Sequence, residues 1–225
     1  MNRYDQIWEE SFLNEIADVE KSTGTNPTDW RAGGRATKQY PDKENKAWWD
    51  ENGKQMFFNF ITAWRESGFK IWNTPENVLG VELGFYNFFG EVPIKAYADL
   101  VVVTPEGELA VVDLKTGSHM PDSSLQLGIY ASLMEMQFGV RPTRAFFYDA
   151  RKAIFEESFG LNRWSIPVLT ELFTKFDAGV KAEIFLPNIG MACYTCGVKE
   201  YCYAQGGQLS TIYDPLASLN EDTTN

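Results

Sequence analysis

Two β-branched runs facing each other across a short turn constrain this chain more than anything else in it. Ala96, Tyr97, Ala98 and Asp99 lead into Val101, Val102 and Val103. Leu109, Ala110, Val111 and Val112 lead into Asp113, Leu114 and Lys115. Between them, Thr104-Pro105-Glu106-Gly107-Glu108 is a Pro/Gly turn, so the two runs read as a hairpin. Closing that hairpin brings Asp99 near Asp113. Side chains repeat every two residues along a strand, which puts Asp113 and Lys115 on one face. Asp113 follows two valines and is expected at the exit of a buried strand.

The rest of the chain supplies layers for such a sheet. Residues 4–21 carry Ile7, Trp8, Phe12, Ile16 and Val19 at helical spacing. A second helix is predicted over 44–66, with Asn52-Gly53 as an interruption that splits it. Residues 23–42 read as an extended loop. Strands are predicted over 78–89, 92–103 and 109–114, then a helix over 123–138. A hairpin of strands at 143–149 and 153–159 follows, and a long helix at 164–185. This order gives an α/β fold with a mixed central sheet flanked by helices. It lacks the regular alternation and the Gly-rich phosphate loop of a doubly wound nucleotide fold. The expected organisation is a single domain over 1–207: a helical part at 1–75, a catalytic core at 76–185 and a cysteine segment at 186–207. A weakly ordered tail follows at 208–225.

At 44% hydrophobic and 15% aromatic residues, the chain has the material for a packed core. No apolar run reaches the roughly 20 residues of a membrane span. The residues after Met1 form no apolar signal core, and the expected location is the cytosol of a cell or of an infected host. The net charge of −11 runs against the basic footprint that phosphate backbones favour. Two basic clusters stand out: Arg31, Arg35, Lys38, Lys43 and Lys46, and Arg141, Arg144, Arg151 and Lys152. For each cluster alone, a mixed solvated surface is the simpler reading. All three cysteines, Cys193, Cys196 and Cys202, fall in one short segment, which favours metal ligation over disulfides.

Asp99 and Asp113 are a natural pair of ligands for Mg²⁺ or Mn²⁺, with the Leu114 carbonyl pointing into the same space. Such an ion polarises a phosphodiester and acidifies a bound water, and Lys115 can orient that water or neutralise developing charge. Gln126 and Tyr130 stand four apart on the next helix and share a face.

The ordered set Asp99, Asp113-x-Lys115 and Gln126-x-x-x-Tyr130, on strand, strand and helix, resembles the PD-(D/E)XK nuclease superfamily, and within it the RecB-type nuclease domain. The spacing Cys193-x-x-Cys196-x₅-Cys202 resembles the cysteine signature of its iron–sulfur members, the CRISPR-associated and phage-encoded exonucleases. The resemblance covers about 82–202. It implies a restriction-endonuclease-like core with Asp99 and Asp113 as metal ligands and Lys115, Gln126 and Tyr130 in the catalytic set. Glu82 matches an acidic strand position and is a further candidate metal ligand. The implied activity is metal-dependent DNA hydrolysis by an exonuclease of recombination, repair or phage DNA processing. The implied partner is DNA. The alternative is a catalytically weak nucleic-acid-binding protein that keeps the nuclease fold.

Two departures from the family pattern bear on that choice. In Gly53-Lys54-Gln55-Met56-Phe57, Phe57 stands where the family has His, so that ligand is either missing or replaced, with Glu44 and Glu82 as the candidates. Four thiolates normally hold a [4Fe–4S] cluster, and this chain has three. Cys193, Cys196 and Cys202 could hold a cluster with a different fourth ligand, or Zn²⁺ with His119. They could instead be free thiols in a loop packed by Tyr194, Tyr201 and Tyr203.

Overall fold

The computed structural model describes residues 3–30, 44–184 and 186–207. Two compact units divide the chain, Met1–Thr174 and Lys175–Asn225. The predicted tail at 208–225 and the basic residues Arg31, Arg35, Lys38 and Lys43 lie outside the described residues.

The first unit is built on a six-stranded mixed sheet. Its strands are β1 (Lys70–Ile71), β2 (Val81–Phe89), β3 (Val92–Val103), β4 (Leu109–Lys115), β5 (Arg144–Asp149) and β6 (Ile154–Glu157). The order is β1-β3-β4-β5-β6, with β2 also paired to β3. Every pairing is antiparallel except β4 with β5. The parallel pair requires a crossover, and α3 (Leu125–Phe138) provides it. The helices α1 (Arg3–Thr23) and α2 (Lys46–Ser67) precede the sheet, and α4 (Ile166–Lys181) follows it.

Strand alternation divides the core into two layers. Val101, Val111, Ala145 and Phe147 pack on one face with Leu127, Tyr130, Ala131, Leu133 and Met134 of α3. Val102, Ala110, Val112, Phe146 and Tyr148 pack on the other, against Met56, Phe60, Ala63 and Trp64 of α2. Asp113 and Lys115 continue the parity of Val111 and face α3. The sequence therefore places the strands and their chemistry-bearing face correctly, and it misses only the short β1.

The predicted interruption of α2 does not occur: the helix runs unbroken from Lys46 to Ser67. Gly53 is buried, and a Cβ there would lie 2.7 Å from the Trp8 ring of α1. It is a point of close helix approach, not a breaker, and the packing offsets the propensity cost of glycine. Lys54 fixes the same contact through Asp5 at 3.1 Å and Glu9 at 3.4 Å. Phe57 lies on this seam, 5.9 Å from the Trp8 ring centroid. The position matched to the family histidine is thus an apolar contact between α1 and α2.

The second unit begins within α4 and continues through short 3-10 turns at Met191–Thr195, Lys199–Tyr201 and Tyr203–Gln205. Among the described residues, no helix is long and apolar enough to cross a membrane.

Candidate active site

The site lies where Asp99, inside β3, meets the C-terminal end of β4. Leu100 pairs with Val112, so one further step along the antiparallel register sets Asp99 opposite Asp113. Asp99 Oδ2 accepts the Leu114 backbone N–H at 2.7 Å, which fastens the first carboxylate to the strand that carries the second. Asp113 is 2% exposed. Lys115 Nζ lies in ion-pair contact with Asp113 Oδ2 and above the Phe147 ring. The ammonium also donates to Gln126 Oε1 at 3.0 Å, and Gln126 Nε2 donates to the Tyr130 hydroxyl at 2.7 Å. One chain of contacts thus runs from Asp113 through Lys115 and Gln126 to Tyr130. The helical spacing of Gln126 and Tyr130 and the strand spacing of Asp113 and Lys115 produce it directly.

The electrostatics follow from burial. Desolvation pushes the Asp113 carboxyl above its ordinary range. The Lys115 ammonium counters that rise and the Asp99 charge adds to it. Burial also pushes the Tyr130 phenol up; the Gln126 hydrogen bond opposes the shift, and the charges of Asp113, Asp99 and Glu82 reinforce it.

Glu82 exposes a feature that periodicity alone does not show. Val81 pairs with Leu100 and Leu83 with Ala98, so Glu82 stands opposite Asp99, and there the ladder pairing lapses. Glu82 has φ 47, a left-handed conformation in the middle of a strand. Ala98 and Val101, three residues apart, both pack in the α3-side core, so strict alternation breaks around Asp99. Such kinks re-aim a side chain and collect at functional sites. Glu82 itself is exposed and does not complete a three-carboxylate group.

Asp99 and Asp113 offer the carboxylate oxygens that a hard divalent cation takes. The oxygen set matches Mg²⁺ or Mn²⁺, and Asp113 Oδ2 is buried with no hydrogen bond besides its Lys115 ion pair. Among the described residues no group of three His, Cys, Asp or Glu is placed to hold a metal. Mg²⁺ commonly binds through one or two carboxylates and keeps several waters, so two suffice. The same finding covers the cysteine segment. Cys193 Sγ accepts the Gly190 N–H at 3.4 Å and lies 3.9 Å from the Asn188 carbonyl. As placed, the three thiols supply no ligand set for a cluster or zinc. Of the tyrosines expected to pack this loop, Tyr194 and Tyr201 are exposed.

Arg151 was legible only as one member of a basic cluster. Its guanidinium donates to the Thr116 carbonyl at 2.8 Å, pairs with the buried Glu44 at 3.0 Å and stacks over Trp48 at 5.2 Å. Glu44 is the counter-charge of Arg151. The rest of that cluster is similarly engaged. Arg141 pairs with Glu135, Arg144 with Glu157, and Lys152 with Asp149 and Glu156. All four are engaged by carboxylates and form no free basic patch, and Arg141, Arg144 and Arg151 are mostly buried where a solvated surface was expected.

Comparison with known proteins agrees with this geometry. The chain is 34% identical over 148 residues to the Gene 69 protein of Mycobacterium phage D29, a match covering 62% of this chain and 54% of that protein. The chain thus spans about half the length of the curated relative it matches. The family model of the PD-(D/E)XK nuclease superfamily matches residues 9–203, nearly the whole chain and every residue of the strand-end site. With the mixed sheet and the Asp99, Asp113 and Lys115 constellation in place, this chain belongs to the PD-(D/E)XK nuclease superfamily.

Proposed function

We propose that this protein is a Mg²⁺- or Mn²⁺-dependent deoxyribonuclease, acting as an exonuclease in recombination, repair or phage DNA processing. The observation that carries this reading is the continuous contact chain from Asp113 through Lys115 and Gln126 to Tyr130, beside Asp99. Asp99, Asp113 and the Leu114 carbonyl would hold the cation, and Glu82 would add negative charge from β2. The cation, when bound, would polarise the scissile phosphodiester and acidify a water. Lys115 offsets negative charge that develops on the phosphate, and Asp113 and Gln126 fix where its ammonium sits. Tyr130 holds the Gln126 amide so that its carbonyl oxygen faces Lys115.

The test uses end-labelled linear and circular DNA, single- and double-stranded, with Mn²⁺ or Mg²⁺. Short products from linear DNA only are expected. Cleavage of circles would replace the exonuclease assignment with an endonuclease. Activity surviving the combined Asp113→Ala and Lys115→Ala substitutions would overturn the site.

A second reading has its own observation. Phe57 sits against Trp8 where the family resemblance has a histidine, which favours a weak catalyst that chiefly binds nucleic acid. Salt-dependent DNA binding without metal-dependent cleavage would select it. For the cysteine segment, metal analysis and an absorption band at roughly 400 nm in anaerobically purified protein test the iron–sulfur assignment.

A further inference from the structure

The outer face of the β2–β3 ribbon is the least explained surface of the first unit. Within β3, β4 pairs only with Leu100–Val103, so residues 92–98 pair with β2 alone. On one side of this ribbon Leu83, Phe85, Phe89 and Ala98 fill the α3-side core. On the other side three large aromatics stand in solvent: Tyr86 is 65% exposed, Phe88 47% and Tyr97 47%. Tyr86 meets Phe88 edge-on at 5.7 Å. Register sets Gly84 opposite Tyr97 and Tyr86 opposite Lys95. The Tyr97 ring lies over Gly84, 3.1 Å from where a Cβ would stand, so the missing side chain is what lets the ring lie down. Lys95 Nζ sits 5.5 Å from the centre of that ring. Among the described residues it has no carboxylate partner, unlike Arg141, Arg144, Arg151 and Lys152. Gly84, Tyr86, Asn87, Lys95, Tyr97 and Gln137 line a shallow hollow here.

We propose that this ribbon face binds a single strand of nucleic acid leading into the active site, with Tyr86, Phe88 and Tyr97 stacking bases and Lys95 pairing a phosphodiester. The inference deepens the nuclease reading and takes the location of the reacting centre from it. Two observations select the occupant. An ammonium with no carboxylate partner among the described residues, beside exposed aromatic rings, matches a polyanion that carries flat bases. The face also ends at the kink beside the site, since Tyr97 precedes Asp99 by two residues on β3 and Gly84 follows Glu82 by two on β2. A duplex keeps its base faces stacked inside and offers little to such rings, so the face selects single strands or frayed ends.

The experiment measures binding of a fluorescent single-stranded oligonucleotide and its blunt duplex in EDTA, where metal-dependent cleavage is blocked. The wild type is expected to prefer the single strand. Combined Tyr86→Ala and Tyr97→Ala substitutions should weaken single-strand binding at least about tenfold, and duplex binding far less. Tyr86→Phe and Tyr97→Phe keep the rings and should retain binding, which separates stacking from damage to the ribbon. Lys95→Gln should lower the salt dependence of binding by about one counterion. Unchanged single-strand affinity in the double alanine variant would overturn the proposal. So would a wild-type dimer that this variant converts to monomer, because the face would then be covered by a second copy. The nuclease reading fails separately. If wild type cleaves nothing with Mn²⁺ but loses single-strand binding in the double alanine variant, the binding face stands and the hydrolase does not.

Discussion

Where β3 meets the end of β4, spacing along the chain is spacing in the molecule. Register puts Asp99 across from Asp113, period two puts Lys115 beside Asp113, and the helical repeat puts Tyr130 beside Gln126. The cysteine segment also carries a recognisable spacing, but it lies in short 3-10 turns with no ladder to fix it. Among the described residues its thiols do not gather as ligands. A motif on regular structure is a statement about distance because the backbone repeat is known. A motif on irregular structure becomes one only when something else closes the loop.

The sharpest test of this contrast is catalytic. Asp113→Asn is expected to lower metal-dependent DNA cleavage by about 10²–10³-fold or more, on the scale of losing one preorganised electrostatic group. Cys196→Ser is expected to change the same rate only slightly. A brown protein that loses both colour and activity with Cys196→Ser would reverse the comparison. Next in size, Gln126→Ala and Tyr130→Phe should each cost about 10–100-fold, the usual range for groups that orient a metal-site residue. Steady-state rates with saturating Mn²⁺ measure it, and equal rates in all three proteins would show that the Gln126–Tyr130 contact is only structural.

Stability gives a smaller and opposite signal. Burial raises the Asp113 pKa, so the folded state holds this proton more tightly than the unfolded chain. Stability is therefore lost as pH rises from the unfolded to the folded pKa, and the charged carboxylate opposes folding at neutrality. In EDTA at pH 7, Asp113→Asn should melt at a higher temperature than wild type. Added Mg²⁺ should raise the wild-type midpoint and leave the variant unmoved.

The smallest effect concerns Asp149. Burial pushes its carboxyl up. The Lys152 ammonium and the backbone N–H groups of Lys152 and Arg151 outweigh that push and hold it below the ordinary value of 3.8. Its folded pKa is depressed, so its stabilisation is present above 3.8 and is lost as pH falls through the folded value. Asp149→Asn should lower the melting temperature near neutrality, and the gap from wild type should close below about pH 4, the carboxylate range.

Most of the sheet was legible because its strands are long, β-branched and closed by a Pro/Gly turn. β3 has the bounds that the apolar run predicts, Val92 to Val103. What escaped the sequence has a common cause, dependence on partners distant in the chain. Gly53 reads as a breaker until Trp8 is seen against it. Arg151 reads as a surface cation until Glu44 and Thr116 are seen around it. The kink at Glu82 has no local signature, since a glutamate at φ 47 is held there by its surroundings. The number of thiols was plain from the start, whereas their separation was not.

The parallel pairing of β4 with β5 also governs when the site comes into being. Asp99 and Asp113 meet once the short turn at 104–108 closes, an inexpensive loop. Lys115 pairs with Asp149, and Ala150 donates to its carbonyl at 2.9 Å, only after the chain has returned through the whole of α3. Non-local pairing of this kind is slow to form. The nascent protein therefore gathers its acidic residues early and acquires the lysine's final setting late, so on the proposed reading a cation site would precede a hydrolytic one.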